Sequence, residues 1–339
     1  VLASCVDGTP RTRVKESGPI FMKIVELVDN LYEVFADRIG APLSESARDL
    51  PRALRLAPAA LPWSRVFPDE VTLGAPALFA ESLHGVPRAL LHDAVCAQMF
   101  AVIDAHGTAR IEDERIEASP HVFAVLGHVR SERDRAMLRL FSRTPLAETD
   151  FRAADATTIR ALRSERAALG AGHPVGQDVY ERTIVDKRCA AILPSLALAR
   201  IAGADPRACR AVRATLESIA KAQQIHDDVV QWEADVERGG AWAICLMRGS
   251  IAPRYSGKHA KRGPSVNAEL LDSGVLEQML ARAHLHMRTA RRRAGALGAA
   301  RLASWATERE AHLSRLFTIE ADSAGAAAHA HSHAGGQRP

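Results

Sequence analysis

Apolar positions recur at three- and four-residue intervals along most of the chain, the period of an amphipathic helix rather than the alternation of a strand. Residues 21–39, FMKIVELVDNLYEVFADRI, predict a helix closed by Gly40 and Pro42. Pro42, Pro51, Pro58, Pro62, Pro68 and Pro76 then restrict 41–84 to short helices and turns, with Trp63 as a core anchor. Pro87 opens RALLHDAVCAQMFAVIDAH, apolar on nearly every side and hence a central helix, with a stop expected at Gly107.

Further helices are predicted over 122–141, 151–169 and 177–203, then from Pro206 to Gly239-Gly240, with Asp205 capping the start of that last one. A short apolar run, 241–247, and two final helical regions near 266–297 and 299–320 complete the packing. β-branched runs are scarce while Ala, Leu and Arg dominate, which favours helix throughout. The expectation is an all-α protein: an irregular segment over 1–20, one large helical bundle over 21–320, and a His/Ala/Gly-rich disordered tail over 321–339.

The densest candidate chemistry is Gln224-Ile225-His226-Asp227-Asp228-Val229-Val230-Gln231-Trp232-Glu233-Ala234-Asp235. On a helix Asp227, Gln231 and Asp235 stand one above another at i, i+4 and i+8, with Asp228 to one side. Stacked carboxylates repel unless a cation sits among them, and oxygen ligands over two turns suit Mg2+. A solvated acidic stripe has the same spacing, so both readings stay open. Asp104, near the end of the central helix, either projects into a cavity mouth or pairs with the adjoining loop. Upstream of the ladder, Arg182 and Lys187 could clamp an anion, provided a kink around Pro194 or a local break brings both toward one pocket; alternatively Arg182 pairs with Glu181 or Asp178.

Charge and composition narrow the partners. A net charge of +4 with basic residues dispersed among acids, and only 5% aromatic residues, leaves neither the basic surface nor the stacking platforms of a nucleic-acid binder. No uninterrupted apolar stretch is long enough for membrane insertion. Five cysteines without CxxC spacing read as reduced thiols of a cytoplasmic protein. The basic, glycine-rich stretch Gly249–Pro264, containing Arg254 and Tyr255, is composed either as a lid over a polyanion or as a surface linker.

The central helix ending in Asp104, the cationic helix at 180–188 and the run QIHDDVVQWEAD together resemble the class I isoprenoid synthase superfamily, over roughly residues 21 to 315. That run looks like the family's second metal motif: Asp227, Gln231 and Asp235 fall at the cyclase positions, and Asp227-Asp228 match the start of the chain elongators' DDxxD, with Gln231 replacing its last acid. The resemblance implies Mg2+ held by Asp104, Asp227, Asp228, Gln231 and Asp235, with Arg182, Lys187, Arg254 and Tyr255 acting on a prenyl diphosphate. It also implies a homodimer. The first motif offers a single acid where the family has a cluster, and this favours a terpene cyclase-like diphosphate lyase. The alternatives are a prenyltransferase joining a prenyl diphosphate to a second substrate, or a non-catalytic binding protein on the same fold.

Overall fold

A computed structural model describes residues 24–83, 85–112, 116–144, 147–250 and 266–315. They are helical and contain no strand, as the periodicity predicts. They form two compact units, 24–162 with 187–212 and 163–186 with 213–315.

The first unit begins with α1 (Ile24–Ile39), α2 (Leu43–Arg48), α3 (Leu50–Ala53), α4 (Trp63–Val66) and α5 (Glu70–Ala80). α1 buries Val28, Leu31, Tyr32 and Phe35, a spacing of three to four residues that turns one face inward. Tyr32 lies 5.5 Å from Trp63 and Phe35 lies 4.9 Å from Phe100, ring centre to ring centre, so aromatic contacts tie α1 to α4 and to the next helix. The Tyr32 hydroxyl donates to the Ala47 carbonyl at 2.8 Å, which gives this buried polar atom its partner. Asp69 caps α5 by accepting from the Val71 and Thr72 amides.

α6 (Arg88–Glu112) is the central helix: every residue from Ala94 to Asp104 is buried. It does not stop at Gly107. A Cβ there would sit 2.6 Å from Leu126 Cδ2 on α7 (Pro120–Phe141). Glycine at 107 therefore serves close helix packing rather than termination, and α6 runs five residues beyond it. Ser119 caps α7 by accepting from the Val122 amide, with Pro120 in the first turn.

α8 (Ala147–Ala171), α9 (Gln177–Ile201) and α10 (Pro206–Val230) are each shared between the units. Asp205 caps α10 through the Ala208 amide at 2.7 Å, as expected. The predicted single helix to Gly239 is interrupted at Gln231, whose φ of −105° and ψ of 8° depart from helical values; α11 (Trp232–Glu237) follows. α12 (Trp242–Ser250), α13 (Val266–Asp272), α14 (Val275–Ala296) and α15 (300–315) complete the described chain. The helix expected over 266–297 is broken by Gly274 at φ +69°, a left-handed turn that L side chains rarely adopt.

The second unit's core gathers Tyr180 and Ile184 of α9, Ile225 and Val229 of α10, Trp242 to Met247 of α12, and Met279, Leu280 and Met287 of α14. Trp232 belongs to this core. No described helix is long and apolar enough to cross a membrane.

Candidate functional site

The second unit carries the acidic run. The Gln231 amide donates to the Asp227 carbonyl and the Asp235 amide to the Gln231 carbonyl, both at 2.9 Å, so four-residue bonding survives the break. The side chains then diverge in environment. Asp227 is 54% exposed and lies 3.4 Å from His226 Nδ1. Asp228 is buried: Oδ2 accepts from the Tyr180 hydroxyl at 2.5 Å and Oδ1 from Gln224 Nε2 at 2.8 Å. Burial, and then the Asp228 charge, push the Tyr180 hydroxyl well above its ordinary pKa, so it stays protonated and donates. Asp235, on α11, pairs with Arg238 one turn on.

These carboxylates are therefore one open acid, one buried acid already satisfied, and one acid in a surface pair. Among the described residues no three His, Cys, Asp or Glu side chains converge to hold a metal by themselves. Mg2+ commonly binds through one or two carboxylates and completes its shell with water and substrate phosphate. The open Asp227 fits that pattern, and so does Asp235, because an exposed i, i+3 pair is weak and readily exchanged.

Arg182 is exposed on α9, and Glu181 beside it is buried. Glu181 does not pair with Arg182. It takes Arg282 Nε at 3.0 Å, Lys221 Nζ at 3.2 Å, Gln177 Nε2 at 3.1 Å and His286 Nε2 at 3.1 Å. Burial alone would raise the Glu181 pKa, but the nearby His286 and the hydrogen bonds from Arg282 and Gln177 prevail and hold it far below the usual carboxylate range. Reading the sequence missed this cluster, because Arg282 and His286 lie more than 100 positions downstream; the local signal was the Gln177 to Glu181 spacing of one helical turn. α9 is helical from Gln177 to Ile201 with Pro194 inside it, so Arg182 and the half-buried Lys187 stand on one uninterrupted stretch of helix. Arg254 and Tyr255 lie outside the described residues.

The first unit holds Asp104 differently from either reading of the sequence. Asp104 lies inside α6, two turns before its end, and its side chain is 7% exposed. Oδ1 accepts from Arg130 at 3.0 Å; Oδ2 accepts from Arg133 at 3.0 Å and from Arg130 Nε at 3.3 Å. Both arginines come from α7 at i and i+3, a spacing that places them on one helical face. The expected loop partner is replaced by a helix, and the expected open cavity mouth by a neutralised ion pair. Arg133, itself buried, also donates to Asp155 and Asp134. Asp104 as it stands does not fit a metal ion. Asp93, earlier on α6, is likewise paired, with Arg139 Nε at 2.7 Å.

No protein-family model matches the sequence, and no curated protein matches it. Solved structures do match in fold. An octaprenyl pyrophosphate synthase from Helicobacter pylori gives a TM-score of 0.61 at 12% identity, covering 85% of this chain and 98% of that one. A polyprenyl synthetase from Streptomyces coelicolor A3(2) gives 0.59 at 12% identity, covering 86% and 97%. A polyprenyl synthase from Caulobacter crescentus CB15, complexed with calcium and isoprenyl diphosphate, gives 0.54 at 16% identity, covering 84% and 95%. Coverage of nearly the whole of each neighbour extends the likeness beyond a shared helical pair. The chain thus carries the all-helical isoprenoid synthase fold of these polyprenyl synthases.

Proposed function

We propose that this protein is a prenyltransferase that joins a prenyl diphosphate to a second substrate. The observation that carries the reading is the end-to-end fold likeness to polyprenyl synthases, with Asp227-Asp228 at the end of the long α10. It favours transfer over the cyclisation that the sparse first motif suggests, since the neighbours are synthases that build polyprenyl chains by name.

In this reading Asp227, assisted by Asp235, would hold Mg2+ against the substrate diphosphate. When bound, the ion would supply charge neutralisation of the leaving diphosphate. Asp228 is the wrong partner for direct coordination while it accepts from Tyr180 and Gln224; it anchors the end of α10 on which Asp227 stands. Arg182, exposed on α9, offers the diphosphate charge-assisted hydrogen bonds. Lys187, Arg254 and Tyr255 are further proposed contacts. The allylic C–O bond breaks, diphosphate leaves, the second substrate's electron pair bonds to the allylic carbon, and that substrate then loses a proton. Such a step needs surroundings free of water.

The test is inorganic diphosphate release from farnesyl diphosphate with Mg2+, with and without isopentenyl diphosphate. Release that requires the second substrate supports transfer. Release from farnesyl diphosphate alone returns the reading to a cyclase-like lyase, and binding without release under either condition identifies a non-catalytic binder.

A further inference from the structure

In the isoprenoid synthase resemblance, Asp104 stands where the first metal motif is expected, yet its surroundings are those of a completed ion pair. Both of its oxygens are occupied by guanidinium groups at 3.0 Å. Arg133 is 4% exposed at its side chain, and its donors are distributed among three carboxylates: Nε to Asp134 at 2.9 Å, one terminal nitrogen to Asp104 and Asp155, and the other to Asp155 at 2.7 Å. Its guanidinium carbon also lies 5.2 Å from the centre of the Phe151 ring. Arg133 cannot swing into water without leaving three acids behind.

A cation approaching Asp104 would have to displace Arg133 from that carboxylate while remaining close to its positive charge, because Asp134 and Asp155 hold the guanidinium in place. Mg2+ also demands near-octahedral oxygen at 2.0–2.1 Å, and the lone pairs it would need already face N–H groups. Arg130 adds a second obstacle on the solvent side, being 53% exposed and bonded to the same carboxylate. Against three acids, two guanidiniums supply most of the charge that a divalent ion would otherwise bring.

We infer that Arg133 is a resident counter-ion that closes Asp104 to divalent cations, so that cation binding by this protein proceeds without the first-motif acid. The same geometry assigns Arg133 as the residue whose loss opens a new cation site between Asp104 and Asp155. This inference concerns metal binding alone and does not depend on prenyl transfer; failure to turn over prenyl diphosphates leaves it standing.

The experiment is Mn2+ titration of the full chain, with free Mn2+ followed by electron paramagnetic resonance, in the presence and absence of inorganic diphosphate. Asp104→Asn is expected to bind the same number of Mn2+ ions as the unmutated protein, with affinity within about twofold. Arg133→Met is expected to gain one Mn2+ per chain, and Arg133→Met with Asp104→Asn to lose it again. Loss of one ion, or a tenfold weakening, in Asp104→Asn would overturn the inference, as would a folded Arg133→Met that gains nothing. Should either variant fail to fold, anomalous scattering from Mn2+-soaked crystals of the unmutated protein decides the matter: a peak at Asp104 overturns the inference and a map without one supports it.

Discussion

The hydroxyl of Tyr180 donates to Asp228 at 2.5 Å across 48 residues of sequence, joining α9 to the acidic end of α10. Two neighbouring aspartates are thereby given opposite tasks: Asp228 is held inside, and Asp227 faces out.

Tyr180→Phe removes that donor from a buried carboxylate that also accepts from Gln224. Hydrogen bonds to charged groups contribute about 1.5–3 kcal/mol, so unfolding stability should fall by about that amount. Urea denaturation should show a lower midpoint with an unchanged slope; an unaltered midpoint would mean that Asp228 finds an equivalent partner.

Asp227→Asn acts on the opposite face. Its side chain is more than half exposed, so stability should stay within about 0.5 kcal/mol of the unmutated protein, while Mg2+-dependent affinity for a prenyl diphosphate drops at least tenfold. Calorimetric titration with and without Mg2+ reads both terms, and an equal affinity in the variant would remove Asp227 from ligand binding.

Glu181 makes stability depend on acid. Its pKa in the folded chain lies far below the ordinary 4.5, so the stability it contributes is complete above that ordinary value and drains away as pH falls toward the depressed one. The facing groups are Lys221, Arg282, His286 and Gln177. Thermal melts between pH 7 and pH 3 should therefore show a smaller acid-side decline for Glu181→Gln, starting from a lower melting temperature at pH 7. Parallel curves for the two proteins would contradict this.

Gly107→Ala should destabilise although alanine is the better helix former. The added Cβ meets the buried Leu126 at 2.6 Å, and overpacking of this kind costs about 1–3 kcal/mol. Pairing it with Leu126→Ala should recover part of that loss, a coupling that a double-mutant cycle measures directly.

The helices themselves were legible in the sequence where burial has a clean period, as in α1 and α6, and where a cap announces a start, as at Asp205 and Ser119. Gly107 misled because its meaning depends on a leucine from another helix. Gln231 looked like one rung of a continuous ladder, since residue type alone does not reveal a local departure from helical φ and ψ. In the candidate site, the position and spacing of Asp227, Asp228 and Asp235 were readable, but their partners were not. Tyr180 for Asp228, and Arg130 and Arg133 for Asp104, come from other helices, and pairings of that kind are set by packing.

The Arg133 network also bears on how this sequence can change over generations. Removing one member of a buried ion pair strands the other, at a cost of about 3–5 kcal/mol, a large share of the 5–15 kcal/mol by which folded proteins are typically stable. Asp104 is the buried acid of the three that converge on Arg133, so a change that removes Arg133 alone carries that cost there. The arginine is therefore easier to retain than to lose, and opening Asp104 takes the exchange of several residues together.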